Sequence, residues 1–80
     1  MKLKYIVIEH QGMEFALIFP SWVKHEFVGS NFKVVSAGFC KLSTFCDEES
    51  WTCWGESVSL GVGSRKEDAA ILNHAMTFEM

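Results

Sequence analysis

The sequence predicts an α+β domain of order ββαββα: a four-stranded antiparallel sheet with two helices packed mainly on one face. Three observations lead there: two pairs of strand-like runs, a glycine-bearing turn inside the first pair, and a helix-start signal after each pair. Nothing helical separates the strands within a pair, so each closes as an antiparallel hairpin rather than through a crossover. Residues 1–80 then form one domain of two hairpin–helix units, 3–29 and 33–78.

In the first unit, residues 3–9 (LKYIVIE) and 14–19 (EFALIF) are rich in β-branched and aromatic types, with Gln11-Gly12 between them. A two-residue hairpin loop needs positive φ, which glycine supplies at no steric cost. That register sets Ile6 opposite Leu17 and Ile8 opposite Phe15 on one face. Tyr5, Val7, Ala16 and Ile18 share the other face with Glu9 and Glu14, so both faces carry apolar side chains. Pro20-Ser21 then starts a short helix over residues 22–28, stopped by Gly29.

In the second unit, residues 33–42 (KVVSAGFCKL) and 51–60 (WTCWGESVSL) are the third and fourth strands, joined by a polar loop over 43–50. Symmetric pairing about that loop sets Cys40 against Cys53 and Phe39 against Trp54. Gly38 and Gly55 fall together on the Cys40 side, leaving a thin patch where a helix could approach closely. Ser64-Arg65-Lys66-Glu67 has the pattern of a capping box. Asp68 suits the positive end of a helix, and Ala69, Leu72, Ala75 and Met76 follow at helical spacing.

Apolar residues make up 49% of the 80-residue chain, which places it with globular rather than disordered sequences. A domain this short buries only about 60–65% of its unfolded surface, and a second copy would supply the missing burial, so a homodimer is one expected assembly. The formal charge of −3 comes from seven basic and ten acidic residues. Lys2, Lys4, Lys24, Lys33, Lys41, Arg65 and Lys66 form no stripe along the sequence, which argues against nucleic acid as a partner. The first residues lack the apolar core of a signal peptide, and no run approaches the roughly 20 apolar residues of a membrane span. With an odd count of three cysteines, the expectation is a cytoplasmic protein with no disulfide framework, no cofactor and no membrane.

Cys40, Cys46 and Cys53 with His25 or His74 offer soft ligands for zinc, but no tight Cys-x2-4-Cys pair is present, and cysteines within a sheet are readily explained as small apolar residues. Cys46 is the most exposed thiol, yet Asp47 and Glu48 beside it disfavour a thiolate. The segment from Gly61 to Lys66 precedes a helix and could cradle an anion; it lacks P-loop spacing, and a strand stop followed by a capped helix accounts for every residue. A metal- or anion-binding domain built on these groups is the alternative reading. His10, His25 and His74 read as solvated surface residues.

The aromatics are more informative. Trp22, Trp51 and Trp54, with Tyr5 and seven Phe, exceed what a small core readily hides. With both helices on one face, Tyr5, Val7, Ala16 and Ile18 would be left uncovered. Together with Trp22 and Trp51 they make the expected partner-binding surface.

The stretch KVVSAGFC (33–40), then WTCWGESVSL (51–60) and SRKEDA (64–69), with KYIVIEH (4–10) at the start, resembles small uncharacterised proteins encoded by phages and prophages. That resemblance covers most of the chain. It implies a phage accessory protein that binds and modulates a host or phage protein, including inhibitors of CRISPR or other immune systems, and it supplies no catalytic residues to carry over. No constellation of nucleophile, base and orienting group stands out in the sequence, so the expected activity is non-enzymatic.

Overall fold

The computed structural model describes residues 2–74 and 77–79. Strands β1 (Leu3–His10) and β2 (Met13–Phe19) form the first hairpin, with Ile6 opposite Leu17 and Ile8 opposite Phe15 as expected. Gln11 and Gly12 turn the chain with φ of 53° and 78°, the two positive values a tight hairpin demands. Strand β3 (Lys33–Phe45) pairs with β1, and β4 (Glu48–Trp54) pairs with β3, placing Cys40 against Cys53 and Phe39 against Trp54. The antiparallel order is β4-β3-β1-β2.

Helix α1 (His25–Gly29) follows the first hairpin. Two short strands, β5 (Glu56–Ser57) and β6 (Val62–Gly63), pair with each other before helix α2 (Asp68–Leu72). A last strand, β7 (Thr77–Glu79), joins the sheet parallel to β2. The order is therefore richer than ββαββα. Ala75 and Met76, expected on the final helix, lie outside the described residues.

The polar stretch 43–50 is not a loop. The ladder runs on to Phe45 opposite Glu48, and only Cys46 and Asp47 turn, with φ of 53° and 65°. The second hairpin thus extends as an arm whose residues from Lys41 to Ser50 are exposed except Ser43. A strand without a core to face needs no apolar side, so its polar composition concealed it.

Both helices are shorter than expected. Residues after Pro20 form a turn, in which the Val23 N–H bonds the Pro20 carbonyl at 3.1 Å, and α1 begins only at His25. At α2 the capping box does not form. Ser64 gives its backbone N–H to the Gly55 carbonyl at 2.9 Å, and Asp68, not Glu67, reaches back to accept the Arg65 N–H at 2.9 Å.

The helices cover opposite faces, which overturns the expected layering. Tyr5, Val7, Ala16 and Ile18 are fully or almost fully buried with Cys40 and Leu72 under α2. Ile6, Ile8, Phe19 and Ala37 pack with Val28 of α1, and Leu60 and Val62 border them. After β4 the chain turns at Gly55 (φ 81°) and lays β5 and β6 against β3 on the α1 side, so α2 returns over the other face. Two apolar faces each demand a cover, and the chain supplies one apiece. Because α2 touches both β4 and β2, the sheet curls around it.

A bulge adjusts the α2 face. Val7 pairs with Ser36 but Ile8 pairs with Val34, leaving Val35 as an extra residue. Ser36 and Val35 both join the α2 side, while Val34 packs with the α1 cluster.

His25 is buried rather than solvated. Its Nε2 donates to the Gly38 carbonyl at 2.7 Å, and its ring meets Phe19 and Phe39 edge-on, each at 5.7 Å. Burial lowers its pKa below the usual 6.5, and the charge of Lys4 pushes the same way. The unfolded chain then binds a proton more readily than the folded one, so stability is complete above about pH 6.5 and declines as pH falls toward the lowered value. Thermal unfolding should show this decline between pH 7.5 and 5, with His25→Gln removing it. Glu14, held below its usual 4.5 by its hydrogen bonds from Arg65, loses its contribution only at more acidic pH.

Candidate functional site

The most concentrated chemistry lies under α2. The Asp68 carboxylate is completely buried and accepts four hydrogen bonds: from the Tyr5 hydroxyl at 2.5 Å, the Ser36 hydroxyl at 2.9 Å, the Arg65 N–H at 2.9 Å and Arg65 Nε at 3.0 Å. Arg65 also grips Glu14 through both terminal nitrogens, at 2.7 and 3.3 Å. Burial first, then the Asp68 hydrogen bond, drives the Tyr5 pKa upward, so the phenol stays a donor. Each carboxylate oxygen holds two donors, and no buried side-chain nitrogen or oxygen among the described residues lacks a partner. Ser36 donates to a carboxylate, with no histidine to take its proton. This geometry clamps the N-terminus of α2 to the sheet and offers a substrate no access.

Asn73 makes a second link. Its amide oxygen accepts the Trp51 N–H at 2.6 Å, and its amide nitrogen donates to the Trp51 carbonyl at 3.1 Å. Trp51 and Leu42 form a non-hydrogen-bonded pair of the arm ladder, so these backbone groups point away from β3. The side chain therefore occupies part of the open β4 edge. Trp51 itself is half-buried against the α2 cluster.

The three cysteines do not gather. Cys40 and Cys53 face each other on the α2 side, whereas Cys46 sits at the arm's tip, six ladder steps or about 20 Å away. No group of three or more His, Cys, Asp or Glu among the described residues could hold a metal. Burial and the nearby Asp68 charge push the Cys53 thiol up to about 11. Iodoacetamide at pH 8 should label Cys46 alone in the folded protein, Cys53 carrying only about one thiolate in a thousand. Intact mass before and after adding denaturant checks this, and rapid labelling of three thiols without denaturant would contradict it. The segment from Gly61 to Lys66 has Val62 and Gly63 in β6 and Arg65 committed to Glu14 and Asp68, which leaves no anion cradle.

Of the six expected contact residues, the structure exposes one. Tyr5, Val7, Ala16 and Ile18 are core, because α2 covers their face; Trp22 is 83% exposed. Phe27 on α1 is 78% exposed, and Phe45 at the arm's tip 80%. On the same face as α1, Ile8, His10, Phe15, Leu17 and Phe32 line a groove of about 310 Å³. Phe27 and Phe32 were missed because a short amphipathic segment does not declare which of its apolar residues point inward.

No described helix is long and apolar enough to cross a membrane. Comparison with protein-family models, curated proteins and solved structures finds no match to this chain.

Proposed function

We propose that this chain is a non-enzymatic protein-interaction module of the kind small phage accessory proteins supply, binding and modulating a host or phage protein in the bacterial cytoplasm. The observation that carries the reading is the exposure of two large aromatics, Trp22 and Phe27, together with an apolar groove lined by Ile8, Phe15, Leu17 and Phe32 on the α1 face. Large aromatics left in water cost hydration free energy that a partner recovers, and such residues dominate binding energy at interfaces. The groove offers a recess for an apolar side chain of that partner, while the Asp68 centre is sealed and serves the fold. Inhibition of a bacterial immune component fits this mode of action, since a stoichiometric binder needs only a surface.

The test is capture from lysate of a bacterial host, using the wild-type chain and a Trp22→Ala/Phe27→Ala variant as baits. Both substitutions are at exposed sites, so the fold should persist, which circular dichroism checks. A protein retained in stoichiometric amount by the wild type and lost with the variant supports the proposal. No specific protein, or equal retention by both baits, sinks it.

A further inference from the structure

The cations that look scattered in sequence are brought together by the fold. On the α1 face of the sheet, Lys4 lies opposite Phe39, and one step beyond the last pair, Leu3 opposite Cys40, the same register sets Lys2 beside Lys41. Lys2 Nζ sits 4.6 Å from the centroid of the Phe39 ring. Phe39 in turn pairs with Trp54, their rings 6.3 Å apart and inclined by 30°, and Trp54 remains 39% exposed. Lys24 precedes His25, whose ring rests on Phe39, so a fourth cation stands at the same end. The ion pairs of the described residues involve Lys33 and Arg65 and none of these four lysines.

We infer that this lysine–aromatic end of the sheet binds single-stranded nucleic acid. The surface supplies both parts of such a site: unneutralised cations for the phosphates, and adjacent aromatic rings on strands where a base can stack. Duplex is disfavoured by the same geometry, because α1 has only five residues and α2 is wrapped by the sheet, so neither can enter a major groove. Asp47, Glu48 and Glu49 lie out along the arm, while Glu26 of α1 and Glu56 of β5 stand nearer the lysines. The contact is sequence-tolerant, since stacking and phosphate pairing read no base edges.

The experiment is fluorescence anisotropy with a labelled oligothymidylate of about twelve nucleotides. Saturable binding is expected at low salt. With three lysines on phosphates the logarithmic salt slope is about −2, roughly a fourfold loss for each doubling of salt. Lys2→Glu/Lys41→Glu should weaken binding roughly tenfold or more, and Trp54→Ala roughly fivefold or more. Lys33→Glu, which alters a cation at the other end of β3, should change little. Absence of binding at low salt overturns the inference, as does a double lysine variant that binds like wild type. Competition by polyglutamate as effective as by unlabelled oligonucleotide overturns it too, and would mark the surface as a dock for acidic polypeptide.

Discussion

Asp68→Ala should destabilise the domain by about 3–5 kcal/mol, the range seen when one partner of a buried charged network is removed. The whole stability of an 80-residue chain is roughly 4–12 kcal/mol, so much of the population could unfold at room temperature. The physical reason is the set of donors left behind. Without the carboxylate, the buried Tyr5 and Ser36 hydroxyls lose their acceptor, as do two part-buried Arg65 nitrogens. Arg65 would keep Glu14 and the longer contact to Glu67 at 3.9 Å, and the start of α2 would lose its tie to β1 and β3. Asp68→Asn keeps the shape but turns an N–H₂ group toward donors, so an intermediate loss is expected. Urea unfolding followed by tryptophan fluorescence measures both. A cost below about 1 kcal/mol for the alanine variant would mean that water reaches the site and the clamp is dispensable.

Gly38→Ala should cost about 1–3 kcal/mol, the usual penalty for overpacking. An added Cβ would collide with the Trp54 carbonyl oxygen and stand 3.3 Å from its carbon. These are backbone atoms, so no rotamer change relieves the contact; the chain leaving β4 toward Gly55 would have to move. That shift would also disturb the Gly38 carbonyl that accepts from His25. Gly63 provides the comparison, because its added Cβ would meet nothing closer than 3.7 Å. Gly63→Ala should therefore stay within about 0.5 kcal/mol of wild type. Equal denaturation midpoints for the two variants would refute the close-approach account.

These two sites also show what a sequence reader can and cannot see. Hairpin register was legible: alternating apolar residues around Gln11-Gly12 fix Ile6 against Leu17, and symmetry about the arm fixes Cys40 against Cys53. The meeting of Gly38 with the Gly55 turn followed from the same register. Layering was not legible. Tyr5, Val7, Ala16 and Ile18 were correctly assigned to one face, but alternation does not say what will cover it. Asp68 is read locally as a helix-start acid, and only the return of α2 over β1 and β3 makes it a core residue. Its bond to Ser36 depends on the bulge at Val35, which no glycine or proline announces. The lysine cluster is likewise a product of pairing: Lys2 and Lys41 are 39 residues apart in sequence and flank the ladder pair of Leu3 and Cys40.

The Asn73 link to Trp51 has a consequence during synthesis. The strands of the arm are complete once Trp54 has been made, and a hairpin closes in roughly 1–10 μs. Asn73 comes 22 residues after Trp51. At translation rates of about 5–20 residues per second, the β4 edge stands open for about one to four seconds before its guard arrives. The outer flank of β2 is covered later still, by β7. Each margin of the nascent sheet is therefore covered by residues made after it, β4 in part by Asn73 and β2 by β7, and pairing with strands of neighbouring chains is easiest in that interval.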